Sequence, residues 1–176
     1  MVIIFCVLSL RAAQAQIIDL ETFGSGPAVV GPELPAGQIT YDYNPVAIQP
    51  ANFPDILNDG EYVLATDPQI GFTNWSSIGD NTTGTGYMLL VNADGDLTGE
   101  FYRRRVTLTP NTAFDFLAYA VNVNSQIDFD FCTGPGNGNG ELALANITLQ
   151  IEALDGTILA SQDTGCLLYT SPSPRD

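Results

Sequence analysis

Three groups of side chains in this 176-residue chain have the types and spacing to hold a ligand. Asn92, Asp94 and Asp96 place oxygen-bearing side chains at alternate positions, the way a hard cation such as calcium is gathered, and Asp80 or Glu100 could complete the set. Counting from Asn92, the sixth position is Leu97 and the twelfth is Arg103, where an EF-hand needs Gly and Glu. An EF-hand is therefore excluded. A looser structural calcium site and a solvated Asn/Asp turn both remain open. The second group is Arg103, Arg104 and Arg105. On a strand, Arg103 and Arg105 share a face, and two guanidinium forks could grip sugar hydroxyls or a uronic acid carboxylate. The alternative is that they pair with the many nearby carboxylates. The third group is aromatic. Tyr119 falls on the face opposite Phe114 and Phe116, and Trp75 lies in the loop-like run GFTNWSS. Either could stack against a sugar ring, although buried aromatics are the commoner use of such residues in a sandwich.

Catalysis has little to work with. The chain has no His and, among its 5 basic residues, no Lys, so acid–base work would fall to carboxylates. Asp128 and Asp130 share a strand face, but no Glu-x-Asp-x-x-Glu hydrolase motif surrounds them. A glycosidase pair must stand about 5–9.5 Å apart, and scattered surface aspartates are the simpler explanation. Cys132 has no His to activate it as a nucleophile and reads as a small buried hydrophobe. The expectation is a non-catalytic module that requires no cofactor. Three matches to the Asn-x-Ser/Thr pattern, at Asn74, Asn81 and Asn146, read as chance in a chain rich in Asn and Thr.

The elements that must position these groups are strands. In residues 127–131 the apolar Ile127, Phe129 and Phe131 alternate with Asp128 and Asp130, as a half-buried strand demands. Phe114, Phe116, Ala118 and Ala120 form one face, and Ile147, Leu149 and Ile151 another. Asp155-Gly156 predicts a hairpin turn that returns through residues 158–161. Residues 62–65 predict a short strand and 87–91 a central one. Residues 100–108 predict the next, with Tyr102, Val106 and Leu108 on a core face; residues 17–22 could supply the first strand. Residues 24–38 and 48–54, rich in Gly and Pro, predict ordered loops, and the glycine-rich run 134–140 another. No stretch of ten residues has helical periodicity. Many short strands with turns at this spacing predict an all-β fold, an antiparallel β-sandwich.

Composition narrows the partners. The chain carries 20 acidic against 5 basic residues, a net charge of −15. Such a surface repels phosphate backbones, so neither nucleic acid nor an anionic membrane is expected as a partner. Residues 1–15 read as an export signal: an apolar run from Val2 to Leu10, too short to span a bilayer, precedes the small-x-small pattern Ala13-Gln14-Ala15. No membrane insertion is expected after cleavage. At the other end, residues 166–176 (CLLYTSPSPRD) resemble the translation of a sequencing-library adapter and are set apart as non-native. The expected organisation is then a signal at 1–15, a β-sandwich module at 16–165 and an adapter-derived tail at 166–176. With Cys6 in the signal and Cys166 in the tail, Cys132 stands alone and no disulfide is expected within the module.

The runs GYMLLVNA (86–93), GEFYRRRV (99–106) and PNTAFDFLAYAVN (110–122) also carry a resemblance. With FGSGP (23–27), DGEYVLAT (59–66) and LDGTILASQDTG (154–165), they resemble the N-terminal jelly-roll modules of large secreted surface proteins from gliding bacteria of the Bacteroidetes type. The resemblance implies a galactose-binding-like jelly roll. It implies a further aromatic strand and a closing segment similar to GNDLALDDI, both absent here, so the sandwich is expected to lack its last strands. It further implies more domains in the same polypeptide, with repeats and a sorting segment linked to gliding motility. Taken together, the expected role is adhesion or glycan binding at the outer cell surface, with polysaccharide or surface glycan as partner. A structural spacer of an adhesin and a targeting module for a polysaccharide hydrolase are the alternatives. An exposed Tyr119 would favour glycan binding, a buried one the spacer.

Overall fold

The structure is a computed structural model, and it describes residues 20–45, 57–72, 75–93, 100–109, 114, 116, 118–123 and 146–167. Among these residues the fold is all-β, in two small sheets, with a single short 3-10 turn at Pro68–Ile70. The first sheet has the order β1-β2-β3, where β1 is Asp42–Tyr43, β2 is Glu61–Ala65 and β3 is Met88–Asn92. The second is the hairpin of β4 (Asn146–Glu152) and β5 (Ile158–Cys166).

β2 is the centre of the molecule because its sequence leaves it no solvated face. Tyr62, Val63, Leu64 and Ala65 are all buried. Val63 and Ala65 point to one side, where their antiparallel partners Leu90 and Met88 meet them. Leu57, Val63, Ala65 and Leu90 form the core there, with Val30, Ile70, Phe72 and Trp75 packed around it. Tyr62 and Leu64 point to the other side. Tyr62 packs against Tyr43, its parallel neighbour in β1, with ring centroids 5.4 Å apart and planes tilted by 47°.

The Gly/Pro-rich segment 24–38 is an ordered loop fastened to the sheet, as its composition predicts. Gly31 N–H donates to Leu64 O at 2.8 Å, and Thr66 N–H donates to Val29 O at 3.1 Å. Three tyrosine hydroxyls complete the attachment. Tyr87 donates to Ala28 O, Tyr43 donates to Gly31 O, and Tyr62 accepts from Leu34 N–H. Gly31 permits this closeness: a Cβ there would lie 2.9 Å from Tyr87 Cδ2 and 3.0 Å from Leu64 Cβ.

Several expectations need correction. The 87–91 run is a strand, Met88–Asn92, but among the described residues it is an edge of its sheet; β2, with a continuous buried run, is central. β1 was not expected, and it pairs parallel to β2, so the sheet is not purely antiparallel. Residues 100–108 form no regular strand. They make one isolated bridge, Tyr102 with Ile39, flanked by Arg103 N–H to Gln38 O at 2.7 Å. Past Arg103 no described ladder continues, and Val106 (45% exposed) and Leu108 (42%) do not join a core face. Residues 20–22 likewise belong to no strand.

The β4–β5 hairpin forms where alternation predicts it, with β5 running on to Cys166 and so including the first residue set apart as non-native. Its turn differs in one detail. Gly156 alone takes positive φ (+87°), with Gly156 N–H donating to Ala153 O at 3.0 Å and Ala153 N–H to Thr157 O at 2.8 Å. This is a tight turn closed by a left-handed glycine, and it shifts the ladder register near Ile151 and Glu152. The predicted strand 127–131, the 134–140 loop, Cys132 and the signal all lie outside the described residues.

Candidate functional site

The segment that carries Tyr119 has no described ladder; the side chains of Phe116 and residues 118–121 are exposed, and Asn122 is buried. Tyr119 is 66% exposed and Phe116 63%, with Val121 also exposed. The alternation that would bury Phe116 and Ala118 against a second sheet is therefore not realised among the described residues; Phe114 alone of that face is half-buried. Val123 anchors the end of the stretch by accepting Ser76 N–H at 2.8 Å. Two aromatic rings and a β-branched side chain thus offer apolar surface to solvent within one short run. Isolated exposed hydrophobes are ordinary on protein surfaces, whereas neighbouring ones mark contact sites.

The arginines are largely spoken for. Arg103 pairs with Glu100 at 2.6 Å and also donates through Nε at 3.0 Å, while Arg104 pairs with Glu21. Arg105 is exposed, with no ion pair among the described residues. The expected grip by Arg103 and Arg105 together is thus reduced to Arg105 unless Glu100 lets go.

Trp75 is placed in the fold's interior margin. Its ring packs on Phe72 with centroids 4.6 Å apart and lies so close to Gly71 that a Cβ there would be 2.9 Å from Cζ3. Gln69 Nε2 fixes the loop by donating to Trp75 O at 3.2 Å. Trp75 is thus half-buried, with one side of its ring packed against Phe72 and Gly71 at the margin of the core.

Of the four side chains expected to gather a cation, the two that are described, Asp80 and Asn92, stand apart. Asp94 and Asp96 lie outside the described residues. Asp80 is buried (6% exposed) and its carboxylate is filled by donors. It accepts Thr82 N–H at 2.7 Å, Thr83 N–H at 2.9 Å, Gly86 N–H at 2.7 Å and the hydroxyls of Thr82 and Thr83. Burial pushes its pKa up, but these hydrogen bonds together outweigh burial and hold the carboxyl well below the usual carboxylate range. Asp80 therefore closes its own loop.

Asn92 sits elsewhere. Asp80 reaches Gly86 just before β3, and Asn92 ends β3, so the length of an extended strand, about 3.3 Å per residue, separates them. Asn92 donates to Leu57 O at 2.8 Å and to Asp59 Oδ1 at 3.1 Å, tying the end of β3 to the turn before β2. Nearby, Glu61 accepts from Asn44 Nδ2 at 2.7 Å and from Asn58 N–H at 2.9 Å. Partial burial raises the Glu61 pKa, but the Asn44 and Asn58 hydrogen bonds bring it below its ordinary value. No group of three or more His, Cys, Asp or Glu among the described residues could hold a metal ion.

Glu21 was missed from the sequence, and Asp80 was read there as a cation ligand and not as the organiser of its loop. Glu21 binds Tyr102 and Arg104, and Asp80 binds its own loop through donors. The signal for Asp80 was legible: Asp-Asn-Thr-Thr-Gly is the composition of a loop in which a carboxylate caps successive N–H groups. Glu21 had no local signal, because its partners are 81 and 83 residues away. Compared with known proteins, the chain matches no family model, no curated protein and no solved structure.

Proposed function

We propose that this chain is a non-catalytic, exported surface module that adheres through a glycan contact centred on Tyr119. The observation that carries the proposal is the exposure of Tyr119, whose ring is free to take a sugar face; Phe116, three residues earlier, is exposed as well. Arg105, exposed and with no ion pair among the described residues, is the cation this reading assigns to a uronic acid carboxylate. The same reading takes the fold to be a galactose-binding-like jelly roll and the polypeptide to be a surface protein of the gliding Bacteroidetes type, with further domains. Leader removal after Ala15 would deliver it to the outer surface. The strong negative charge disfavours a nucleic-acid partner. No helix among the described residues is long and apolar enough to cross a membrane. A structural calcium ion gathered by Asn92, Asp94 and Asp96 would draw on Asp59 in place of Asp80, since Asp59 is the carboxylate that Asn92 touches.

The test is electrophoresis of the protein through gels cast with neutral and uronic acid-containing polysaccharides. Retardation by at least one polysaccharide, weakened at least about tenfold by Tyr119→Ala, is the expected result, since a central aromatic contact is commonly worth more than one such factor. Retardation by none of them, or retardation that Tyr119→Ala leaves unchanged, would favour the spacer role. Arg105→Ala should affect only the acidic polysaccharides.

A further inference from the structure

Period-2 alternation sorts the side chains of β4 onto two faces: Ile147, Leu149 and Ile151 on one, Thr148, Gln150 and Glu152 on the other. β5 lies along one edge of this strand, with Leu149 opposite Gln162 and Ile151 opposite Ala160. Along the other edge no strand lies among the described residues. A two-stranded hairpin is marginal by itself and gains stability from a further strand. Proteins blunt open edges with Lys, Pro or charge; β4 has neither Lys nor Pro, and its one charge, Glu152, is at its end.

Two hydrogen bonds show what the open edge presents. Ile147 N–H donates to Thr164 Oγ1 at 3.0 Å and Ala153 N–H to Thr157 O at 2.8 Å, both on the β5 side. The odd-numbered residues of β4 therefore turn their backbone polar groups towards β5, and Asn146, Thr148, Gln150 and Glu152 turn theirs outward. All four of these residues are exposed. The strand also reads nearly the same from either end. About Leu149 as centre, Ile147 mirrors Ile151, Thr148 mirrors Gln150 and Asn146 mirrors Glu152.

We propose that the open edge of β4 pairs antiparallel with the same edge of a second copy, giving a four-stranded sheet in the order β5-β4-β4-β5. In the register centred on Leu149, Thr148 faces Gln150 and Asn146 faces Glu152 as hydrogen-bonded pairs. Ile147 faces Ile151, and the two Leu149 face each other, as the closer non-hydrogen-bonded pairs. Every apolar side chain meets an apolar one, and the carboxylate meets an amide rather than its own kind. That self-complementarity selects a second copy as the occupant, and a slip of one residue would destroy it by exchanging the faces. An edge contact is smaller than the roughly 1,000 Å² of stable complexes, so the dimer is weak. The net charge of −15 on each copy opposes it, so added salt strengthens it. The pairing does not depend on the glycan reading; where that reading holds, the dimer offers one polymer two Tyr119 faces.

Sedimentation equilibrium of the chain from Gln16 to Asp176 tests this, over roughly 10 μM to 1 mM and with a reductant so that Cys132 and Cys166 do not link copies. Gln150→Pro removes an outward N–H, a change that edge strands tolerate, and should weaken the dimer at least about tenfold. Thr148→Lys and Gln150→Glu, made together, set opposite charges against each other across the two copies and should tighten it at least about twofold. This second variant keeps the test decisive even where proline disturbs the hairpin. A parent that stays monomeric throughout overturns the pairing. Slow amide exchange at Thr148 and Gln150 in that monomer would show the edge filled by the chain's own residues. A dimer that the charge pair leaves unchanged or weakens overturns the pairing equally, because residues 148 and 150 of the two copies then do not face each other.

Discussion

Replacing Asp80 with Asn changes one atom and should cost more than most core substitutions in this domain. The Asp80 carboxylate takes three backbone N–H groups, those of Thr82, Thr83 and Gly86, and two threonine hydroxyls. In the Asn variant, Oδ1 keeps Thr82 and Thr83 N–H, and Nδ2 replaces the oxygen that faces Gly86 N–H and Thr83 Oγ1. The hydroxyl can rotate and accept; the Gly86 N–H cannot. Gly86 is buried, and a Cβ there would lie 3.0 Å from Gly24 O, so a water has little room to intervene. One buried donor left facing another costs about 1–3 kcal/mol, and loss of the charge weakens the remaining bonds, for a total of about 2–4 kcal/mol.

Urea unfolding followed by Trp75 emission measures this, because Trp75 is the only tryptophan and packs against the core. The pH dependence supplies an independent check. The folded-state pKa of Asp80 is depressed, so its contribution is fully present above the unfolded value of about 3.9 and is lost as pH falls toward the lower folded value. The parent should therefore lose stability below about pH 4 more steeply than Asp80→Asn, whose side chain does not titrate there. A variant within about 0.5 kcal/mol of the parent, with the same acid slope, would refute the hydrogen-bond account of this loop.

Other substitutions separate packing from binding. Gly31→Ala drives a methyl group into Tyr87 and Leu64 and should destabilise by about 1–3 kcal/mol in the same urea assay. Trp75→Ala should cost about 2–3 kcal/mol, read by circular dichroism, and leave polysaccharide retardation unchanged, because its ring packs on Phe72. Gly156→Ala places a Cβ at φ +87° in open space, so strain alone should weaken the hairpin by about 1 kcal/mol, visible as faster amide exchange at Ala153.

What the sequence made legible is what local pattern controls. The strands at β2, β3, β4 and β5 follow from apolar runs and period-2 alternation, and the glycine turn at 156 follows from Asp-Gly. The short parallel β1 was illegible because two residues, Asp42 and Tyr43, carry no period; its existence depends on Tyr43 meeting Tyr62. The 100–108 run alternates as a strand should, but alternation cannot supply a partner, and pairing with residues 38–40 stops at Arg103. Sites fared less evenly. Asp94 and Asp96 fall outside the described residues, Trp75 packs half-buried on Phe72, Arg103 found a local carboxylate in Glu100, and Arg104 found one, Glu21, that only tertiary structure brings to it. Tyr119 is exposed, as a ligand platform requires.

The position of Tyr119 also constrains how a contact there would work. The well-fixed part of the described domain is the β1–β3 sheet with its tyrosine-pinned loop, and Tyr119 is not on it. A binding face on a paired strand is already ordered before the ligand arrives. Residues 118–123 have no described ladder and are held at one end, by Val123 and the buried Asn122, so any backbone that stacking a sugar on Tyr119 newly fixes would cost about 1–2 kcal/mol per residue. Two or three such residues would offset most of what one aromatic platform contributes. A single module of this design would hold a glycan weakly. Weak single contacts suit adhesion when many copies engage one polymer, since tethering turns each further contact into an intramolecular step at high effective concentration. On that basis, retardation of the isolated chain should be slight, and coupling several copies to one bead or scaffold should raise retention far more than in proportion to copy number.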